Sequence, residues 1–432
     1  APSILLVDGG RWYYESHIGY YREALDELAI AYDELPIRQA WDAAPSAEDL
    51  EGYDVVIWSD PRYAPGYVGA GGAIGSYLDA GGHLLVSGQD VGFWDGGGAA
   101  TGWSAYYREY LKARFVQDAA PTRVLVGSDG GIFAGQTITV AGPGGADNQD
   151  YPDVISVADA DAAAPLWHYV EDGCGGTQVA TCVPYRAIYL AFGFEAIDDA
   201  GARRQVMERA IDWLVAAPPT AGLELTSKQP LHIGVAGSLV THTVRVRHIG
   251  QGGGTDHVTL TLDGPAWPTE LSDATLTLSP CTSSTVTISV TVPPTIGVDV
   301  RDAITLTAQS SLSPTLAVST TLETKTPASV LLVDDDRWYD QQAVYVDAMT
   351  EANLSHDVWS TSRAGGSHGL GPDPDTLSRY PIVVWWTGYD WYAPILEEEQ
   401  IWLEAYVSSG GRLFFSSQDY LYYQADDRFP YD

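Results

Sequence analysis

At 432 residues with a formal net charge of −35, and with lysine only at Lys112, Lys228 and Lys325, the chain repels phosphate backbones and anionic lipid surfaces along most of its length. Nucleic acid is therefore not an expected partner, and no apolar run reaches the ~18 to 20 residues that membrane insertion needs. The acidic residues are dispersed rather than gathered in a tail, as on a solvated surface, and the length allows about three domains with ordinary cores.

A strand-like run follows Ala1 almost at once, so no signal peptide is expected and the chain reads as a mature or excised product. Ile4 to Val7, Val55 to Trp58 and Leu84 to Val86 are short continuous apolar runs with helical patterns between them. Such runs predict buried parallel strands joined by crossover helices. Tyr21, Leu25 and Leu28 mark the apolar face of the first helix, and Gly81-Gly82 is a left-handed helix stop before the third strand. That strand ends on Ser87-Gly88-Gln89-Asp90. Farther on, Asp147, Asp150 and Asp153 offer hard oxygen ligands that calcium would accept, although the spacing is not that of an EF-hand and an acidic surface loop is the plainer reading. Cys174 and Cys182 bracket a Gly-rich stretch whose spacing suits a small disulfide-closed hairpin, a bridge contributing roughly 2 to 3 kcal/mol and favouring an oxidising compartment. Two unpaired loop thiols are the alternative. Arg186 to Phe192 reads as another buried strand, and Ala200 to Val215 as a helix capped by Asp198 or Asp199 and packed through Val206, Ile211 and Leu214. Pro218-Pro219 closes a first domain over 1–219.

From 220 to 326 the pattern changes to strict alternation, as in His257-Val-Thr-Leu-Thr-Leu262 and Thr285-Val-Thr-Ile-Ser-Val-Thr-Val292. Half-buried antiparallel strands of a β-sandwich are expected there. Cys281 has no obvious partner, and Lys325-Thr-Pro327 links to the next segment.

Residues 327–432 then repeat the first domain. Ser3-Ile-Leu-Leu-Val-Asp8-Gly-Gly-Arg11-Trp12-Tyr13 returns as Ser329-Val-Leu-Leu-Val-Asp334-Asp-Asp-Arg337-Trp338-Tyr339, and Ser87-Gly-Gln89-Asp90 as Ser416-Ser-Gln418-Asp419. The offset moves only from 326 residues, between Asp8 and Asp334, to 329, between Asp90 and Asp419, so one domain is duplicated. Tyr345, Ala348 and Met349 mark the second copy's first helix, and Glu397-Glu-Glu-Gln opens a later one that ends on Gly410-Gly411. The second copy stops about 13 residues past its Ser-x-Gln-Asp, so the chain is expected to end inside a domain at Asp432. An open sheet edge there would invite pairing and head-to-tail polymerisation.

The two copies resemble class I glutamine amidotransferase-like domains, and the central segment resembles the Ig-like modules that accompany them in large secreted bacterial proteins. The resemblance implies a multi-domain α/β plus all-β chain: a flavodoxin-like parallel-sheet domain, an Ig-like β-sandwich, and a second, truncated flavodoxin-like domain. Active relatives carry a Cys in a sharp turn after a central strand and a His in Phe-His-Pro-Glu on a later one. Here the turns read Ser87-Gly88-Gln89 and Ser416-Ser417-Gln418, and the later strand reads Phe192-Gly193-Phe194-Glu195, with Gly193 at the His position. Thiol chemistry needs both groups, so both copies are expected to be catalytically dead. Ser87 or Ser416 as a nucleophile lacks the Gly-x-Ser-x-Gly elbow, and His168 reads as part of a strand-edge aromatic cluster.

What the copies share is a polar set at the strand ends, where open α/β sheets bind ligands. Asp8, Arg11, Trp12, Ser87, Gln89, Asp90 and Glu195 form the candidate pocket in the first copy. Asp334, Arg337, Trp338, Ser416, Gln418 and Asp419 are their counterparts. The same residues read equally as an Arg, Asp and Gln network that satisfies loop backbone groups. Aromatic loops such as Trp386 to Tyr392 and Tyr420 to Tyr423 suit glycans or protein surfaces, and Asn353-Leu-Ser355 is a lone glycosylation sequon. The expectation is a non-catalytic secreted or cell-surface structural protein, self-associating or binding other surface proteins, with no cofactor unless calcium. The alternative is a carbohydrate- or peptide-binding accessory region of a larger secreted hydrolase.

Overall fold

The computed structural model describes residues 2–12, 16–38, 44–99, 102–171, 173–337, 339–361 and 369–424, with the side chains of Trp12 and Gln424 left out. Of the residues singled out above, Tyr13, Trp338, Asp432 and the Trp12 side chain lie outside the described set. Two compact units emerge, Ala1–Pro219 and Thr220–Asp432.

The first unit runs β1 (Ile4–Asp8), α1 (Ile18–Glu27), β2 (Asp33–Pro36), α2 (Ala47–Leu50), β3 (Val55–Ser59), α3 (Gly71–Asp79) and β4 (His83–Ser87). It continues through α4 (Val91–Asp95), α5 (Ala105–Glu109), β5 (Ala113–Gln117), β6 (Val124–Gly127), β7 (Thr137–Thr139), β8 (Val154–Val157), β9 (Ala163–Tyr169), β10 (Cys174–Val179), β11 (Arg186–Leu190) and α6 (Ala200–Leu214). Strands β2, β1, β3, β4 and β11 lie side by side and parallel. Antiparallel β10, β9, β6 and β7 extend the sheet, with the β5 and β8 pair off β10.

Every residue of β1, β3 and β11 is buried because the sheet is covered on both faces. Ile4, Leu6, Val55, Ile57, Leu85 and Ile188 pack with Tyr21 and Leu25 of α1 and Val206, Ile211 and Leu214 of α6. Leu5, Val7, Val56, Trp58, Leu84 and Val86 pack on the other side with Leu50 of α2 and Ile74 and Leu78 of α3. Asp199, the cap of α6, accepts the Ala202 N–H at 2.7 Å.

The second unit contains β12 (Leu223–Thr226), β13 (Leu231–Ile233), β14 (Leu239–His248), β15 (Asp256–Asp263), β16 (Thr269–Leu271), β17 (Thr275–Leu278), β18 (Ser283–Thr291), β19 (Arg301–Gln309) and β20 (Ala317–Lys325). These form two sheets, β12-β14-β18-β16 and β13-β20-β19-β15-β17, which enclose a common core through Val244, Val246, Val258, Ile288, Ile304 and Leu306. Then come β21 (Val330–Asp334), α7 (Gln342–Glu351), β22 (His356–Ser360), α8 (Pro374–Leu377), β23 (Ile382–Gly388), α9 (Glu397–Ser408), β24 (Arg412–Ser417) and α10 (Tyr420–Gln424). The parallel order β22-β21-β23-β24 reproduces β2-β1-β3-β4. Gly81 and Gly410, at φ +93° and +98°, end the corresponding helices α3 and α9 in the left-handed region that glycine adopts without strain.

The cysteine expectation is corrected. Cys174 is the free thiol, and Cys182 and Cys281 are both disulfide-bonded. Cys174 opens β10, an extended strand whose length alone separates its ends by about 17 Å, far beyond the ~5.5 Å Cα spacing of a disulfide. The Gly-rich stretch is thus strand rather than a closed turn. Among the described residues no helix is long and apolar enough to cross a membrane.

Candidate functional site

Register sets Asp8, Ser59 and Ser87 level with one another on adjacent strands at the carboxyl edge of the first sheet. Each lies two residues beyond a core residue that faces α1, so by strand alternation all three face Tyr21. Asp8 is buried and accepts from the Ser16 hydroxyl at 2.6 Å, while its other oxygen has no partner among the described residues. Burial is the main cause that raises its pKa. The Ser87 hydroxyl donates to Phe192 O at 2.8 Å and accepts the Phe194 N–H at 2.7 Å. Glu195 is fully buried and accepts from Tyr21 Oη at 3.2 Å and Asn148 Nδ2 at 2.9 Å.

Gln89 is equally committed. Its amide donates to Pro61 O at 3.1 Å and Asn148 O at 3.0 Å and accepts the Tyr151 N–H at 2.9 Å. Arg11 is exposed on the short turn after β1. The expected pocket therefore does not form as one cavity: Ser87 and Glu195 lie around Tyr21 of α1 with Asp8 farther along the same sheet face, Gln89 clamps loops, and Arg11 stands outside. Space is also tight at the two turns where the resemblance would put a Cys and a His. A Cβ on Gly88 would lie 1.9 Å from Asp60 O, and one on Gly193 would lie 2.2 Å from Glu195 Oε1 and 2.7 Å from Gln149 Nε2.

The second copy uses its counterparts differently. At the position of Ser59 stands Trp386, whose ring stacks on Tyr345 of α7 at 4.0 Å and fills the space that is polar in the first copy. Burial, then the neighbouring Asp336 carboxyl, push Asp334 up to about 7. Arg337 donates to Asp390 at 2.6 Å and to Tyr392 O. Ser416 is half-buried on β24, Gln418 is exposed, and Asp419 is half-buried.

An open cleft of about 270 Å³ does lie at the carboxyl edge of the first sheet, and of the expected residues only Asp90 lines it. The others are Arg62, Tyr63, Phe93, Trp94, Asp118 and Tyr151. Burial, reinforced by the Asp118 charge, pushes Asp90 up to about 7. Behind it, fully buried Asp153 accepts the Gly92 N–H at 2.6 Å, and burial holds its carboxyl well above the usual range. Sequence reading missed Arg62, Tyr63, Trp94 and Asp118 because they come from three separate segments with no shared local pattern; Tyr63-Ala64-Pro65, returning as Tyr392-Ala393-Pro394, was the available signal.

The calcium expectation fails on geometry. Asp147 accepts the Gly142 N–H at 2.9 Å, Asp150 faces Arg62 at 3.4 Å, and Asp153 is enclosed, so the three converge on no common point. Among the described residues no cluster of His, Cys, Asp and Glu could hold a metal. A larger cleft of about 520 Å³ opens at the opposite edge of this sheet, beside His83. There His83 Nδ1 already accepts the Arg186 N–H at 3.0 Å. His168, on β9, is exposed and forms no part of either cleft.

No family model and no curated protein matches the chain. Among solved structures, a ThuA-like protein from Bacteroides uniformis is 14% identical over 49% of this chain and 90% of its own, with a TM-score of 0.34. The PapD-like domain of human CEP192 is 12% identical over 26% of this chain and 88% of its own, with a TM-score of 0.21. A FixG-related protein from Vibrio parahaemolyticus is 14% identical over 25% of this chain and 96% of its own, at 0.20. At such scores these likenesses say nothing about activity or partners.

Proposed function

We propose that this chain is a non-catalytic structural and interaction protein of the cell exterior. In this reading it is built from two degenerate amidotransferase-like, flavodoxin-like domains and an Ig-like sandwich between them. The observation that supports the reading is the state of the two turns where the resemblance would put a Cys and a His. Ser87 Oγ is held between Phe192 O and the Phe194 N–H, and a side chain at Gly193 would have to displace the buried Glu195 and Gln149 side chains. A hydroxyl held in that way has no base to activate it, and covalent catalysis requires one.

Disulfide-bonded Cys182 and Cys281 support an oxidising compartment. The exposed aromatics Tyr389, Trp391 and Tyr392 in the second copy support a role in protein contact, where such side chains are enriched. Two measurements test this. Esterase and amidase assays on the full chain should find no turnover that Ser87→Ala removes, and such turnover would sink the non-catalytic reading. Sedimentation velocity and electron microscopy should show ordered association that grows with concentration; a chain that stays monomeric when concentrated would rule out self-assembly.

A further inference from the structure

The cleft at the carboxyl edge of the first sheet combines three kinds of group. Tyr63 and Trp94 meet with ring centroids 5.8 Å apart, Tyr67 backs Trp94 at 4.7 Å, and Tyr151 stands half exposed at the rim. Asp90 and Asp118 supply acceptors, and Arg62 supplies donors while resting 3.4 Å from Asp150. No side-chain cap bond ties Asp90 to the helix it precedes. One oxygen of Asp118 is buried without a hydrogen-bond partner among the described residues.

The duplication provides an independent indication. Tyr63, Asp90 and Trp94 correspond to Tyr392, Asp419 and Tyr423. The second pair again meets, at 5.7 Å, with both rings substantially open to solvent. This aromatic pair beside an aspartate is shared by both copies, whereas the buried niche under α1 is polar in one and filled by Trp386 in the other.

We propose that the first-copy cleft binds a neutral saccharide, with the apolar face of a pyranose ring against the aromatic wall and its hydroxyls bridged by Asp90, Asp118 and Arg62. Sugar rings present one flat apolar face and a rim of groups that both donate and accept, which matches aromatic rings flanked by carboxyls and a guanidinium. An anionic ligand would meet two carboxyls and a chain of net charge −35. A cationic ligand would meet Arg62. The volume suits one or two rings of a glycan chain rather than a large ligand, since drug-sized sites run about 300–1,000 Å³.

The test is titration calorimetry of the full chain against maltopentaose, cellopentaose, mannopentaose and N-acetylchitopentaose, with choline and pentalysine as cationic probes. Binding of a neutral oligosaccharide at millimolar or lower concentration is expected, weakened roughly tenfold or more by Tyr151→Ala and by Asp118→Asn. Both variants alter partly exposed side chains, and unchanged melting curves would confirm that they fold. The proposal is overturned if no neutral oligosaccharide binds, if only the cations bind, or if both variants bind the sugar as the wild type does. Recovery of the oligosaccharide intact keeps this question separate from catalysis: cleavage would overturn the non-catalytic reading and leave the cleft assignment standing.

Discussion

Ser87 shows how one buried hydroxyl can tie a strand end to a neighbouring turn. Its hydroxyl satisfies a buried carbonyl and a buried N–H on the segment that follows β11. Ser87→Ala leaves both unpaired and should lower stability by about 1–3 kcal/mol, read by urea denaturation, with no change in hydrolytic background. Gly193→His should destabilise the first unit by about 1–3 kcal/mol, because its Cβ would displace a Glu195 held by Tyr21 and Asn148. The buried carboxyls act in the opposite sense to salt-bridged ones. Asp90 and Asp95 are pushed up to about 7 and about 6, and Asp60 well above 3.8, by burial in each case first. A raised folded pKa means that the folded state holds protons the unfolded chain releases. The stabilisation is full below pH about 4 and is lost as pH rises through about 6–7. Thermal melts of the first unit should therefore fall between pH 5 and pH 8, and Asp95→Asn should flatten that fall. A melting temperature that rises over this range would contradict the assignment.

At the level of elements, the duplication extends to the junction between α3 and β4 and its counterpart between α9 and β24. In the first copy Tyr77 of α3 bonds Tyr53 O and His83 O at 3.1 Å each and accepts the His83 N–H, with Gly82 lying against its ring. Tyr406 of α9 repeats this with Tyr380 O at 3.0 Å and Gly411 against its ring. The second glycine of each Gly-Gly is needed for that close approach, whereas the first is needed for its positive φ. Tyr77→Phe should cost about 1–3 kcal/mol and weaken the turn into β4, measurable as faster amide exchange there. Within the second unit, Lys325 is the corresponding pivot. It ends β20 almost fully buried and bridges Asp299 at 2.7 Å and Asp357 at 2.5 Å, and Asp357 also accepts the Ala328 N–H and Tyr380 Oη. Read from sequence as part of a linker, it is an ion-paired joint between the sandwich and the repeat. Lys325→Met should destabilise by about 3 kcal/mol because it leaves a mostly buried carboxylate without its cation, and adding Asp357→Asn should recover part of the loss.

Across the whole molecule, the cysteine assignment gives a direct check: alkylation of the denatured, unreduced chain followed by peptide mapping should find one free thiol and place it at Cys174. Three free thiols, or a label at Cys182 or Cys281, would overturn it. The α/β and sandwich segments, the parallel strands β1, β3 and β4, the α6 cap and the duplication were all legible beforehand. Apolar runs, period-two alternation, Asp before a helix and repeated strings are local signals that burial and backbone geometry impose on any chain. The antiparallel extension through β5 to β10 was not legible, because short strands with mixed burial carry weak periodicity. Of the candidate site, residue types and strand ends were legible but their grouping was not. Asp8, Ser87, Gln89 and Asp90 look alike as strand-end polar residues, yet side-chain direction and loop packing sent them to a buried niche, a loop clamp and an open cleft. The cysteine state followed the same division: spacing suggested a hairpin, and the extended path of β10 excluded it. Local order is encoded over a few residues, whereas which polar groups share water, bury together or face a ligand depends on segments far apart in the chain, and only folding brings those together.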